Sequence, residues 1–391
     1  MSAPFDAAVV GAGPAGTCAA IHLARGGARV VLVERACLPR PKVCGGGLVA
    51  RARRQLPEDI VLPVERACQS VEIRRGAARF TVHGDAPLVE LAMRADLDLA
   101  LARAAARAGA DLRDGCAVTG LDARDDLVVL ATQRGELRAR TVIVADGVHS
   151  PLARLAGWTG ALDAIPALEA EVDLAPKELG DRADLAVFDF GDAPAGYAWT
   201  FPKRAHVSAG ILTTERGRGT LRADLERYLA RLGLAQRARD VRGWLIPTRP
   251  RRGGLARGRV LLAGDAAGLA DPVTAEGISL ALWSGRLAAQ ATLAEPGSAG
   301  RAYERALARE ILPELRVARL LAHVLYARPR AAEFLFARAG AALARAMSAV
   351  VSGRAGYRAL LRDPSNWLRL AGGRADSAPA ARAARARARR A

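Results

Sequence analysis

The sequence predicts an α/β fold, α+β overall, with an inserted antiparallel β-sheet domain and a C-terminal helical region. Three observations predict this organisation. Strand-like apolar runs alternate with helix-like segments from residue 7 onward, as in a parallel sheet with crossover helices. The alternation stops at residues 161–242, where short runs separated by turn residues are typical of antiparallel strands. From residue 300 the apolar positions follow a helical period.

The first predicted elements are a strand, a glycine-rich turn and a helix. Ala7–Val10 predicts a buried strand and Thr17–Arg25 a helix, and Gly11, Gly13 and Gly16 lie between or at the start of them. Glycines let the backbone approach a pyrophosphate, whose charge is stabilised by the N–H groups at the helix N-terminus. This pattern predicts a Rossmann-like dinucleotide-binding domain.

A second predicted strand, Arg29–Val33, ends in an acidic residue. Glu34 lies about 20 residues after the glycines, where a carboxylate accepts hydrogen bonds from the ribose of an adenosine. An acidic residue at this position disfavours a ribose 2′-phosphate. Glu34 and the adjacent Arg35 are therefore candidate cofactor-binding residues.

The remaining elements follow from periodicity and turn signals. A basic loop, Arg35–Gly47, precedes a short helix-like stretch, and two longer helices are predicted at Asp96–Ala108 and Gly277–Leu293. The other predicted strands are Ser70–Arg74, Arg79–Val82, Asp111–Arg113, Ala117–Asp122, Leu127–Ala131, Thr141–Val144, Leu185–Phe190, Ala198–Phe201, Val207–Thr213 and Val260–Ala263. In the C-terminal region the predicted apolar helix faces contain Leu312, Leu315, Leu320, Leu321 and Leu325.

These elements divide the chain into three predicted parts. The nucleotide-binding domain comprises residues 1–70, 92–160 and 243–299, and the antiparallel sheet domain residues 71–91 and 161–242. Residues 300–391 form the helical region and end in a basic tail, residues 381–391.

Two further turns place carboxylates at strand ends. Asp146 and Gly147 follow one predicted strand, and Asp265 follows another. A carboxylate there can bind sugar hydroxyls. Gly277 and Ile278 open a helix whose N–H groups can face the pyrimidine edge of a flavin, where negative charge builds on reduction.

Taken in this order, the motifs resemble the flavoprotein class with the para-hydroxybenzoate hydroxylase fold over residues Phe5–Leu293. The segments PKVCGGGL (Pro41–Leu48) and GYAWTFPK (Gly196–Lys203) narrow the resemblance to the geranylgeranyl reductase family, whose members saturate isolated double bonds of prenyl chains. The resemblance implies FAD contacts at Ala15, Glu34, Cys44, Gly45, Gly47, Arg94, Val118, Asp265, Gly277 and Ile278. Arg94 and Asp98 fit the family's helix beside the flavin.

The resemblance also places three aromatic residues beside the substrate. Tyr197, Trp199 and Phe201 alternate along one predicted strand, so their side chains share one face. Such a wall suits an apolar chain, although three aromatics in this position can also simply fill the core between the two domains.

Cys44 is the candidate catalytic residue. It lies near Lys42 in a glycine-rich loop, where a thiol can interact with the flavin or help to deliver a proton. A small packing residue beside the flavin ring is the alternative interpretation. No carboxylate or histidine is identified as the proton donor from the sequence.

Two positions depart from the family pattern. Ala275 stands in a P-x-x-G-[EG]-G-I loop where the family has glycine, which predicts an altered loop around the flavin. Leu97 replaces a usual aromatic residue.

Composition limits the possible partners. The net charge is +18, and residues 296–391 contain 19 arginines against six acidic residues. This charge suits solvated helix faces, or attraction to an anionic membrane or an electron-donor protein. The tail lacks aromatic residues for base stacking, so nucleic acid binding is not predicted.

Scattered cysteines predict neither disulfides nor a metal site, and an early first strand leaves no room for a signal peptide. We expect a cytoplasmic protein, or one peripheral to a membrane.

The predicted function is that of an FAD-dependent oxidoreductase that saturates C=C bonds of an isoprenoid or lipid chain. Because only one dinucleotide fingerprint is present, NAD(P)H would dock transiently, or a ferredoxin-like protein would supply electrons. Alternatives are a single-component aromatic monooxygenase, a flavin-dependent halogenase and a non-catalytic flavoprotein. The halogenase pattern W-x-W-x-I-P fits poorly because Tyr197 and Phe201 depart from it.

Overall fold

The computed structural model describes residues 3–363, except residues 216 and 218. The strands are β1 (Phe5–Val10), β2 (Val30–Val33), β3 (Gly47–Val49), β4 (Arg66–Cys68), β5 (Ser70–Arg75), β6 (Ala78–His83), β7 (Val89–Leu91), β8 (Asp111–Arg113), β9 (Val118–Ala123), β10 (Val128–Thr132), β11 (Gly135–Val144), β12 (Ile165–Asp173), β13 (Leu185–Asp189), β14 (Gly196–Pro202), β15 (His206–Thr213), β16 (Ala238–Ile246), β17 (Ala256–Arg257) and β18 (Val260–Leu262). The α-helices are α1 (Pro14–Arg25), α2 (Ala50–Arg53), α3 (Arg94–Arg107), α4 (Pro151–Leu155), α5 (Pro176–Gly180), α6 (Leu221–Arg231), α7 (Ile278–Ala294), α8 (Ala299–Glu310), α9 (Leu312–Ala327), α10 (Pro329–Val351) and α11 (Tyr357–Arg362).

A mostly parallel sheet forms the first layer. Its strands lie in the order β17-β18-β11-β1-β2-β8, and β10 and β9 extend it from the first half of β11. Strands β18, β11, β1, β2 and β8 run parallel. The apolar run of β2 is buried at every position, as expected for a parallel strand covered on both faces. The predicted parallel strands are confirmed, although β11 begins at Gly135, six residues before the predicted Thr141.

The second sheet is antiparallel, as predicted, apart from one parallel pair. Its order is β16-β12-β15-β14-β13-β5-β6, and β13 pairs with β5 in parallel. Strand β12, which the sequence analysis did not identify, pairs with both β15 and β16. Since β16 continues to Ile246, the predicted domain boundary between residues 242 and 243 falls inside a strand. A small third sheet has the order β3-β7-β4.

The C-terminal helices cover one face of this second sheet. Tyr326 of α9 and Phe336 of α10 lie in the same core as Tyr197 of β14, whereas α6 covers the opposite face through Leu225 and Tyr228. The prediction that Leu320 belongs to an apolar core face is wrong: its side chain is 68% exposed, because it lies on the outer side of α9.

Helix α10 alone among the described helices has the length and composition to cross a membrane. In the fold, 39% of its most apolar 18-residue window is buried, and Met347 lies in the core. The basic tail, residues 381–391, lies outside the described residues.

Helix α7 packs closely on α1 at a glycine. A Cβ atom on Gly285 would overlap the carbonyl group of Ala15. The close approach holds Ala15 and its turn against α7, so the packing of the two helices positions the glycine-rich turn.

We expect Gly285→Ala to lower the free energy of unfolding by about 1–3 kcal/mol, because the added methyl group overpacks this contact. In a helix without such a contact, alanine is more stable than glycine by about 1 kcal/mol. A loss rather than a gain of stability in Gly285→Ala would therefore identify the steric overlap. Gly180→Ala is the matched control, since Gly180 also lies in a helix and no atom lies within 4 Å of the position that a Cβ would occupy there. Thermal unfolding of both variants measures the difference, and equal or higher stability of Gly285→Ala would contradict the packing argument.

Candidate functional site

A cavity of about 670 Å³ lies between the carboxyl ends of the parallel strands and the β12–β14 region of the second sheet. It collects nearly all of the predicted site residues. Those that line it are Gly11, Gly13, Ala15, Glu34, Arg35, Cys44, Gly45, Gly47, Arg94, Val118, Asp146, Gly147, Tyr197, Trp199, Phe201, Asp265, Gly277 and Ile278. Gly16 does not line the cavity: a Cβ there would overlap the Gly11 carbonyl, so this glycine serves the packing of α1 on the turn.

The glycine-rich turn is held by Glu34. One oxygen of its buried carboxylate, Oε2, accepts a hydrogen bond of 2.9 Å from the Ala12 N–H, and the other accepts one of 3.1 Å from the Ala36 N–H. Gly11 has φ +102°, a conformation that favours glycine. Glu34 therefore fixes the turn itself in addition to facing the cavity, which the sequence analysis did not foresee.

Several groups facing the cavity fit FAD. Within the described part of the chain, no side chain caps the N-terminus of α1 at Gly13, so its N–H groups are available to a ligand, whereas at the N-terminus of α7 the Glu276 carboxylate accepts a hydrogen bond of 2.6 Å from the Ser279 N–H. The buried Asp146 Oδ1 has no hydrogen-bond partner among the described residues. Burial raises the pKa of Asp146, and hydrogen bonds from Ser150 and the Leu152 N–H oppose this rise. A dinucleotide with sugar and ribityl hydroxyls meets these requirements.

The Cys44 loop is tied to both domains. The buried Lys203 ammonium donates hydrogen bonds to the Gly45 carbonyl at 2.7 Å and the Ala92 carbonyl at 3.1 Å. Burial lowers the pKa of Lys203. The Arg94 guanidinium, which is also bound by Asp98 through two hydrogen bonds of 3.0 and 2.9 Å, interacts with the Cys44 thiol. Cys44 is thus held beside two cationic groups.

The predicted aromatic wall lies directly against this loop. Tyr197, Trp199 and Phe201 are buried on β14 and line the cavity. A Cβ on Gly45 would approach the Phe201 ring to 2.9 Å, and the Phe188 ring centroid lies 5.2 Å from that of Phe201. The same rings therefore both fill the core and form the cavity wall.

The loop that follows Asp265 is fixed by tyrosine hydroxyl groups. Tyr357 donates to the buried Asp271 carboxylate, with O–O distances of 3.0 and 2.9 Å. Tyr197 and Tyr326 donate to the carbonyl groups of Thr274 and Val273. These hydroxyls come from β14, α9 and α11, so the C-terminal helices help to hold the loop.

Ala275 lies in the bend of this loop, at the position where the family pattern has glycine. It has φ +55°, a left-handed conformation that costs a residue with a Cβ about 1 kcal/mol or more. Its N–H donates to the Asp271 carbonyl at 2.8 Å. The surrounding hydrogen bonds maintain the bend without a glycine.

Lys42 and two residues beyond the sequence prediction, Trp244 and Glu169, complete the lining of the cavity. The Lys42 ammonium lies 3.9 Å from Asp265 Oδ2 and 3.8 Å from the ring centroid of Trp244. Burial lowers the pKa of Lys42 to about 8, an effect that Asp265 opposes. Trp244 and Glu169 both line the cavity and were missed, since they belong to β16 and β12, neither of which was identified as a strand. The alternation of Glu169 and Glu171 with apolar residues at 165–172 was the available signal for a strand that carries Glu169.

Fold and cavity together define a flavoprotein. Residues 5–296 match the family described as the FAD binding domain. The chain is 33% identical over 316 residues to a digeranylgeranylglycerophospholipid reductase of Methanopyrus kandleri, with 73% of this chain and 80% of the relative covered. It is 31% identical over 314 residues to a menaquinone reductase of Mycobacterium tuberculosis, covering 73% of this chain and 76% of the relative.

A solved structure supports the same fold. The crystal structure of a geranylgeranyl bacteriochlorophyll reductase-like protein of Thermoplasma acidophilum superimposes with a TM-score of 0.76 at 23% identity, covering 95% of this chain and 97% of that chain. The protein is an FAD-dependent oxidoreductase. More narrowly, the chain belongs to the geranylgeranyl reductase family within the FAD-binding-domain proteins.

Glu34→Ala is expected to weaken FAD binding about 10- to 100-fold, because hydrogen bonds to a charged group contribute about 1.5–3 kcal/mol and the turn loses both of them. Glu58→Ala is the control, since Glu58 is exposed and does not line the cavity. Retention of FAD on serial dilution, followed by flavin fluorescence, measures the effect. Equal retention by the two variants would show that Glu34 does not hold the turn.

Tyr357→Phe removes the hydroxyl donor from the buried Asp271 carboxylate. We expect a loss of about 1–3 kcal/mol in the free energy of unfolding, together with a shift of the flavin absorbance spectrum as the loop relaxes. Tyr303→Phe is the matched control, because the Tyr303 hydroxyl donates to the Leu262 carbonyl outside this loop. Destabilisation of both variants with a spectral change in Tyr357→Phe alone is the expected outcome. An unchanged flavin spectrum in Tyr357→Phe would show that the loop does not affect the surroundings of the flavin.

Proposed function

We propose that this protein saturates C=C bonds of an isoprenoid or similar apolar chain. The observation that carries this proposal is the continuity of the cavity: the aromatic wall of β14 contacts the Cys44 loop at the Gly45–Phe201 approach. The curated relatives are reductases named for a geranylgeranyl lipid and for menaquinone, which supports an apolar substrate.

Residues at one end of the cavity would bind FAD, and residues at the other end would bind the substrate. FAD, once reduced, supplies a hydride donor. Gly11, Glu34 and Asp146 would hold the nucleotide part, while the N-terminus of α7 would face the flavin ring. Tyr197, Trp199 and Phe201 would exclude water from the reacting double bond and orient the chain along the sheet, as expected of an aromatic-lined pocket.

Cys44 is proposed to act next to the flavin. Its thiol is held by Arg94, and its loop is anchored by Lys203. Held by these contacts, Cys44 can stabilise the arrangement of the loop or take part in proton delivery.

The electron donor and the surface contact remain predictions. NAD(P)H or a ferredoxin-like protein would reduce the flavin, and the basic C-terminal region would contact that protein or an anionic membrane. In the described part of this region, Arg328, Arg330 and Arg338 are exposed near Phe334, which is 63% exposed. We also propose a cytoplasmic protein that associates with a membrane surface through these residues.

The decisive assay is anaerobic. The holoenzyme is reduced with dithionite and mixed with a geranylgeranyl lipid, and we expect the oxidised flavin spectrum to return with a gain of two hydrogens per double bond in the lipid. The fully saturated phytanyl lipid is the matched control and is expected to leave the flavin reduced. If the flavin returns to the oxidised form only when oxygen is admitted, oxygen-dependent hydroxylation or halogenation replaces the proposal.

A further inference from the structure

We propose that Glu169 is the general acid that protonates the alkene carbon opposite the one that receives the hydride. This inference rests on the proposed function and names the proton donor that the sequence analysis could not assign.

Register places Glu169 on the same face as the aromatic wall. Gly210 of β15 pairs with Trp199 of β14 on one side and with Glu169 of β12 on the other. Residues paired across antiparallel strands share a face, so the two side chains point into the same cavity. A Cβ on Gly210 would overlap the Trp199 indole, which therefore lies across the glycine between them.

A short hydrogen-bond network orients the carboxyl group. The Ser208 hydroxyl donates to Glu169 Oε1 at 2.6 Å and accepts from the Trp199 indole N–H at 3.4 Å. The backbone N–H of Cys44 also interacts with the Glu169 carboxyl group. Since the Ser208 hydrogen bond engages Oε1, the proton of the neutral acid belongs on Oε2. Glu169 is thus connected to the substrate wall and to the Cys44 loop at once.

Its surroundings favour the protonated form near neutral pH. Burial raises the pKa of Glu169 to about 7, and neighbouring Glu171 adds to this, while Ser208, Lys203 and the Cys44 N–H oppose it. Arg242, paired with Glu169 from β16, is exposed. A carboxyl with this pKa is present as an acid below pH 7 and can be reprotonated after each turnover.

The other carboxyls that line the cavity are engaged elsewhere or, like Asp146 after β11, lie at its nucleotide end. Glu34 accepts two backbone N–H groups, Glu276 pairs with Arg51 at 3.2 Å, and Asp265 lies beside Lys42. These carboxyls are not on the aromatic face of the second sheet. Among the described residues that line the cavity, Glu169 is the carboxyl on that face.

The step balances without a further reactant. The reduced cofactor contributes a hydride, with both electrons, to one carbon of the double bond. The O–H bond of Glu169 breaks as a C–H bond forms at the other carbon, giving the saturated chain and a carboxylate near Lys203. A proton from water then restores the acid.

Glu169→Gln in the holoenzyme tests the assignment, with Glu171→Gln as the matched control. Glu171 lies two residues along the same face and contacts His206 at 2.8 Å. We expect both variants to retain FAD and to be reduced by dithionite like the wild type. Lipid-dependent return of the oxidised flavin should slow about 100-fold or more in Glu169→Gln only, the range for loss of a general acid. The wild-type rate should fall as pH rises through about 7, and this dependence should vanish in Glu169→Gln.

A second readout does not depend on turnover. Infrared difference spectra of the oxidised holoenzyme should show a protonated-carboxyl band that disappears between pH 6 and 8 and is absent in Glu169→Gln. Absence of this band in the wild type at pH 6 overturns the proposal, as does a wild-type rate and pH profile in Glu169→Gln. Loss of the pH profile in Cys44→Ser instead would assign the proton to Cys44. A wild type that leaves the lipid unchanged overturns the proposed function and this inference together, whereas lipid reduction with an unaffected Glu169→Gln overturns this inference alone.

Discussion

A buried lysine joins the end of β14 to the Cys44 loop at the place where chemistry is expected. Lys203 follows β14 and is only 1% exposed, so its ammonium group must find acceptors inside the protein. It finds them in the carbonyl groups of Gly45 and Ala92, which belong to the other side of the cavity. Because an unpaired buried cation costs several kcal/mol, the Cys44 loop cannot move away from the aromatic strand without breaking these bonds. The position of the aromatic wall relative to the flavin loop depends on this contact.

The C-terminal helices act on the opposite side of the cavity. Tyr326 and Tyr357 reach from α9 and α11 to the loop at residues 271–275, and Tyr197 reaches the same loop from β14. The loop therefore has its carbonyl groups and its buried carboxylate satisfied by three separate elements. This explains how Ala275 is retained with a positive φ, since the strain of one residue is small compared with several buried hydrogen bonds. The helical region is part of the site rather than an appendage.

Local chemistry made much of the fold and the nucleotide end of the site predictable. The glycine-rich turn, Glu34 and the parallel strands are specified by neighbours in sequence, and the alternation of Tyr197, Trp199 and Phe201 needs only the period of a strand. Glu169 was out of reach because its role depends on the register of β12 against β15, which places it beside Trp199 across Gly210. Lys203 stood within the quoted aromatic motif, yet its partners at residues 45 and 92 are set by the packing of two domains. Leu320 was misassigned for the same reason: helical periodicity identifies an apolar position but does not determine which helices will cover it.

The two ends of the cavity differ in whether their polar groups have hydrogen-bond partners within the protein. At the nucleotide end, the uncapped N-terminus of α1 and the Asp146 Oδ1, which has no partner among the described residues, call for an anionic, hydroxyl-bearing ligand. At the sheet end, Ser208, Glu169 and Lys203 have partners within the protein. Glu169 and Lys203 also interact electrostatically: the lysine opposes the rise in the pKa of Glu169, and the glutamate opposes the fall in the pKa of Lys203. The protonation of the carboxyl on β12 is therefore coupled to the buried ammonium group that anchors the Cys44 loop.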